Sequence, residues 1–128
     1  MSLYLWDTLY HPGRHNFFQS KKEDDAKELL RRARIIYNNL EDKPKVEWKN
    51  TIMEVEEMGS RLQAIPQGGD IIRMHTASGI YADEFAFQEQ AEDAFTAARP
   101  TVQGGGRFTG VSTPKYKNFW WRLVYDKF

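Results

Sequence analysis

Residues 80–84 read Ile80-Tyr81-Ala82-Asp83-Glu84, a short apolar run that ends in two adjacent acids. A run of this length reads as a strand, and such a strand presents its acids at one edge of a sheet. A second run, Phe108-Thr109-Gly110-Val111, ends in Ser112-Thr113-Pro114. Adjacent acids at a strand end suit ATP hydrolysis: the first can hold Mg²⁺ through its waters, and the second can polarise the water that attacks the γ-phosphate. A Ser-Thr tip on a neighbouring strand can sense that phosphate. The 128 residues contain no G-x-x-x-x-G-K-[ST], the loop whose backbone N–H groups cradle phosphates.

Working outward, residues 2–10 carry Leu3, Leu5, Trp6, Leu9 and Tyr10, consistent with the tail of a helix that His11-Pro12-Gly13 stops. His15 to Gln19 reads as a short strand. Ser20 and Glu23 have the spacing of a capping box, and Ala26, Leu29, Leu30, Ala33, Ile36, Tyr37 and Leu40 follow at helical spacing. That predicts a helix over about 21–40. Residues 51–65 alternate on either side of Met58-Gly59-Ser60 and predict a β-hairpin. Pro66 to Asp70 is a loop, and Ile71-Ile72-Arg73 leads through a polar stretch to the strand before Asp83. An Ala-rich helix over 88–98 is ended by Pro100, Gly104-Gly105-Gly106 turns into a strand over 107–112, and Pro114 closes it. Lys117 to Tyr125 reads as a last helix. Strands alternating with helices imply an α/β fold in three layers, a mainly parallel sheet flanked by helices with one antiparallel hairpin. With no repeat and no low-complexity linker, residues 1–128 form a single domain.

The chain is 41% hydrophobic and 14% aromatic, enough for a packed core. Its 18 basic and 18 acidic residues cancel, which argues against binding nucleic acid through a bulk positive field. The absence of cysteine excludes disulfides and thiolate metal sites and is compatible with an intracellular protein. His11, His15 and His75 lack the spacing of a zinc site. No run approaches the roughly 20 apolar residues that span a bilayer, and the first residues lack the pattern of a signal peptide.

The order of these pieces resembles the ATPase domain of the phage terminase large subunit, the motor that pumps DNA into procapsids. The matching pieces are Phe17-Phe18-Gln19-Ser20 running into a helix, Met58-Gly59-Ser60 in a hairpin, Arg73 shortly before the acids, Asp83-Glu84-Phe85-Ala86-Phe87, and Gly110-Val111-Ser112-Thr113-Pro114. The 28 residues from Glu84 to Ser112 also suit it. The resemblance covers nearly the whole chain and implies a partial P-loop NTPase-like fold. Asp83 then looks like the Walker B aspartate that positions Mg²⁺, Glu84 like the catalytic glutamate that activates water, and Ser112-Thr113-Pro114 like the coupling motif that links hydrolysis to movement, with Ser112 and Thr113 at the nucleotide. Arg73, 11 residues before Glu84, stands where the family tends to place an arginine, in some members a trans-acting finger. Such a finger supplies charge to the transferring phosphoryl group and is worth about 10³–10⁵ in rate.

The resemblance also implies what is missing. Residues 2–10 look like the far end of the helix after Walker A, so the chain is expected to be a fragment lacking that loop and the nuclease domain. Mg²⁺ and ATP belong to the complete protein, and this chain alone is expected to bind neither and to be inactive. Double-stranded DNA, the portal and the small terminase subunit are the implied partners, and the host cytoplasm is the implied location. In the shared fold the Walker A strand lies beside the coupling strand, so strand 107–112 becomes an edge. The strand order is then 107–112, 78–83, 15–19, with the hairpin beyond. Self-association through that edge or the C-terminal aromatic helix is expected.

Simpler roles stand beside each of these. Asp83-Glu84 also suits a solvated strand end, Arg73 a surface pair with Asp70, and Ser112 and Thr113 a turn cap. Gly104-Gly105-Gly106 precedes a strand rather than opening a helix, which makes it a turn. The basic residues from Lys27 to Arg34 fit a solvated helix face, and Phe119, Trp120, Trp121 and Tyr125 a core or an exposed, sticky patch. The alternative function is a non-catalytic assembly or nucleic-acid-binding module that keeps the ATPase fold.

Overall fold

The apolar side chains of Ile80 and Ala82 are buried on one face of the strand Gly79–Asp83 (β5), and Tyr81 is half-buried on the other. Both faces must therefore be covered. The computed structural model, which describes residues 2–74, 77–113 and 118–125, shows how. Pro114, Lys117, His75 and the side chain of Tyr125 lie outside the described residues.

In chain order the other elements are α1 (Ser2–Tyr10), β1 (His15–Gln19), α2 (Glu23–Asn38), β2 (Glu47–Trp48), β3 (Ile52–Val55), β4 (Ser60–Ile65), α3 (Asp70–Met74), α4 (Ala91–Gln103), β6 (Arg107–Val111) and α5 (Phe119–Tyr125). One six-stranded sheet runs β2-β3-β4-β1-β5-β6. β4, β1, β5 and β6 are parallel, and β3 and β2 are antiparallel additions. The expected fold and strand order are thus both present. The expected hairpin is β3–β4, with Val55 opposite Ser60. Its connection closes through Gly59 at φ 63°, the left-handed region glycine enters without a Cβ clash.

Two apolar cores form the outer boundaries of the sheet. Tyr4, Leu5, Leu9, Phe18, Leu29, Leu30 and Leu62 pack under α1 and α2 on one face. Phe17, Ile65, Ile72, Ile80, Phe85, Ala94 and Phe119 pack under α3, α4 and α5 on the other. The adjacent Phe17 and Phe18 go to opposite cores because side chains alternate along a strand. Each is fully buried, which stabilises the fold by about 1.5–3 kcal/mol apiece. Tyr4 pins α1 to the far strands. Its hydroxyl donates to the Ile80 carbonyl at 2.9 Å, so Thr109 Oγ1 donates to it at 2.8 Å. Burial pushes the Tyr4 phenol above its ordinary value.

Three local expectations are corrected. Ser20 does not cap α2. Its backbone N–H still donates to Ile65 O in the sheet ladder (3.4 Å), so the helix starts later, with Lys22 as N-cap and no side-chain cap bond. Glu23 pairs instead with Lys27 at 3.6 Å. Pro100 lies inside α4 rather than ending it. It removes one backbone donor, yet Gly104 N–H still closes on the Pro100 carbonyl at 3.0 Å. Residues 70–74 form α3, a single turn too short to show periodicity, and β2 pairs only two residues. The turn at Gly104-Gly105-Gly106 leads into β6 as expected. A Cβ on Gly106 would stand 2.7 Å from Thr101 O and 2.8 Å from Ser78 O.

Candidate functional site

The chain leaves β1 for α2 on one face, toward β4, and leaves β5 for α4 on the other face, toward β6. Neighbouring strands whose connections depart in opposite directions open a crevice at their carboxyl ends, where open α/β sheets bind ligands. β1 and β5 are such a pair, and the residues at that edge are Gln19-Ser20 and Asp83-Glu84. The next strand brings Ser112: Asp83 is level with Val111, so Glu84 and Ser112 are the first residues beyond their strands.

Asp83 is half-buried and Glu84 exposed. Glu84 holds φ 48° and ψ 43°, a left-handed conformation uncommon outside glycine and costly for a residue with a Cβ. The chain then turns sharply through the 3-10 turn Phe85–Phe87, with Phe87 N–H donating to Glu84 O at 2.9 Å. The turn is anchored from below by Phe85, fully buried, whose ring meets Phe108, Phe119 and Trp120 at centroid distances of 5.5, 6.1 and 6.2 Å. Of the α5 aromatics, Phe119 is thus core and the half-buried Trp120 packs against it.

Ser112 Oγ accepts the Ala86 N–H at 3.1 Å and donates to Thr113 O at 3.0 Å. The tip of β6 is therefore tied to the turn immediately after Glu84. Two residues that sequence reasoning passed over complete the frame. Gln88 Nε2 donates to Asp83 O at 3.0 Å. Asn118 Nδ2 donates to Ala86 O at 2.7 Å, while its Oδ1 accepts Trp121 N–H at 3.2 Å and starts α5. No pattern in the sequence marks either residue, because each works through backbone atoms.

Arg73 stands apart from this cluster. Its guanidinium donates to Asp93 Oδ1 at 2.6 Å and Oδ2 at 3.4 Å and lies 3.7 Å from Asp70. The simpler Asp70 pairing is therefore the weaker of two. Asp93 Oδ2 also accepts the Gly69 N–H at 3.1 Å, so the carboxylate clamps α3 to α4. The hydrogen bond from Arg73 holds the Asp93 carboxyl below the usual carboxylate range and raises the guanidinium further. A cavity of about 490 Å³ is lined by Arg73, Arg14, Ser78 and Gly105 at the amino ends of the strands, the opposite end from Asp83. Sequence motif and sheet topology both favour the carboxyl edge as the site.

That edge is short of hydrogen-bond partners. Gln19 Oε1, Ser20 Oγ and Gln88 Oε1 are buried and unpartnered among the described residues. Gln19 Nε2 is held by the carbonyls of Gly68 at 2.8 Å and Pro66 at 3.3 Å, which aims its Oε1 elsewhere. Buried polar atoms normally find partners, so three orphans at one sheet edge mark a polar site. Among the described residues no group of three or more His, Cys, Asp or Glu is placed to hold a metal by itself. No helix among them is long and apolar enough to cross a membrane.

Among solved structures, the chain is similar to the large terminase ATPase domain of Thermus phage P74-26, with a TM-score of 0.62 and 15% identity. A point mutant of the same domain matches with a TM-score of 0.58 and 14% identity. Each match covers 93% of this chain and 55% of the compared chain. No protein-family model and no curated protein matches. The chain thus has the fold of a phage large-terminase ATPase domain and spans about half the length of those domains.

Proposed function

We propose that this chain, with its terminase ATPase fold, is the part of a viral DNA-packaging ATPase that carries the catalytic acids and the coupling strand. The single observation that carries the reading is the Ser112 Oγ to Ala86 N–H bond, which joins the β6 tip to the turn following Glu84. A shift at one is felt at the other, as coupling of hydrolysis to movement requires.

The donor chemistry fits a Mg²⁺–nucleotide in part. The cation binds hard oxygen ligands, keeps several waters, and is commonly held by one or two carboxylates plus the phosphates. Asp83 supplies such a carboxylate, and the unpartnered Ser20 hydroxyl lies at the same edge. When bound, Mg²⁺ neutralises charge on the transferring phosphoryl group. Glu84 projects from its left-handed corner beyond the sheet, free to orient and accept a proton from an attacking water. Ser112 and Thr113 stand beside it for contact with nucleotide. Arg73, clamped on Asp93, reaches a neighbouring subunit's nucleotide only after releasing that pair. The phosphate cradle has no candidate in the sequence, so these 128 residues alone are expected to show negligible ATP turnover.

Double-stranded DNA, a portal and a small subunit are the partners of the complete motor, and Mg²⁺ and ATP its cofactors. The missing phosphate-loop motif also favours a second reading, an assembly module that keeps the fold without the chemistry. Sequencing the coding region immediately before Met1 separates the two. A G-x-x-x-x-G-K-[ST] motif, in frame or in a split partner, supports the motor; its absence from both supports the module.

A further inference from the structure

Ser20 is 1% exposed, and its hydroxyl has no partner among the described residues. The obvious use for it is gone, because α2 begins at Glu23 behind Lys22 and the hydroxyl caps nothing. Register says what lies beside it. Gln19 is level with Ala82, so one step further Ser20 comes level with Asp83 on the adjacent parallel strand. Alternation places both on the α1/α2 face, two residues beyond the Phe18–Tyr81 ring contact at 5.8 Å.

We propose that Ser20 is a positioning residue for Asp83, its hydroxyl donating to the carboxylate oxygen turned away from the cation. The inference rests on the reading of Asp83 as the acid that holds hydrated Mg²⁺. Carboxylates that serve a metal are themselves hydrogen-bonded, and those outer partners fix their orientation. Of the three orphaned groups at this edge only Ser20 has a proton to give, since Gln19 Oε1 and Gln88 Oε1 are acceptors. Rotation about χ1 swings the hydroxyl without moving the backbone, and burial leaves no bulk water to compete for it. The chain keeps a buried, unpartnered hydroxyl here because the carboxylate beside it needs a donor when a cation arrives.

The test is NMR on the 128-residue chain supplied with ATP and the phosphate-loop segment encoded beside it, titrated with MgCl₂, following the Asp83 carboxyl carbon in wild type, Ser20→Ala and Ser20→Thr. Wild type and Ser20→Thr are expected to show a saturable shift at Asp83, with Ser20→Ala about tenfold weaker. An Asp83 signal that ignores Mg²⁺ in wild type overturns the reading of Asp83 itself. Equal affinity in wild type and Ser20→Ala overturns only the role of Ser20, and a threonine variant as weak as the alanine one also speaks against it. Three-bond couplings that report the Ser20 χ1 rotamer need no substitution. They are expected to settle on one rotamer as Mg²⁺ is added, and couplings indifferent to Mg²⁺ count against the proposal even if Ser20→Ala fails to fold.

Discussion

Glu84 is the residue at which structure and chemistry compete. A glutamate at φ 48° carries a cost that glycine would not, roughly 1–2 kcal/mol for a Cβ in the left-handed region. Strain of this kind gathers at functional sites, where the surroundings over-determine it. Glu84→Gly is therefore expected to leave stability unchanged or to raise it by up to about 1 kcal/mol, since relief of strain offsets the greater freedom of unfolded glycine. Denaturant unfolding checks this, and a loss of more than about 1 kcal/mol would show that the glutamate side chain is a packing element instead. At this scale the sequence was partly legible. Asp83, Glu84 and Ser112 stand together because strand ends can be read from where apolar runs stop. Ser20 could not be read, because a serine three residues before a glutamate has the same signature whether or not the helix begins there. Gln88 and Asn118 act on carbonyls, which leave no mark on side-chain patterns.

Among the elements, the pairing of α3 with α4 depends most on one charge. Arg73 and the Gly69 amide both end on Asp93. The Asp93 carboxyl is held low in the folded state, so its contribution is present above the unfolded value and is lost as pH falls through the lower folded one. The clamp is intact at neutral pH and opens only in acid. The Gly69 amide proton shift, followed by NMR against pH, is expected to titrate below the usual carboxylate range, and Asp93→Asn to remove that titration. A midpoint at or above the ordinary aspartate value would contradict it. Long, strongly patterned elements such as α2 were legible because burial selects one face over four turns. The turn α3 was not, since five residues fixed by tertiary contacts carry no period. Pro100 misled for a related reason: losing one helical hydrogen bond is a local cost, and Ala94 and Ala98 buried against the sheet outweigh it.

At the level of the molecule, the order of the six strands places β6 at one edge of the described sheet, with Val111 41% exposed. The outer side of α1 adds Leu3, Trp6 and Tyr10, all exposed and spaced to lie on one helix face. An edge with unpaired backbone groups next to apolar side chains favours pairing with another chain. Light scattering is expected to show concentration-dependent association, reduced by Val111→Lys; a clean monomer at high concentration would rule it out. The most direct test of the motor reading is ATP hydrolysis by this chain supplied with a phosphate-loop segment encoded beside it, comparing wild type with Glu84→Gln. Turnover is expected only when both parts are present, falling by about 10²–10⁴ in Glu84→Gln with Mg·ATP still bound. Robust hydrolysis by the 128 residues alone, or turnover indifferent to Glu84→Gln, would contradict it.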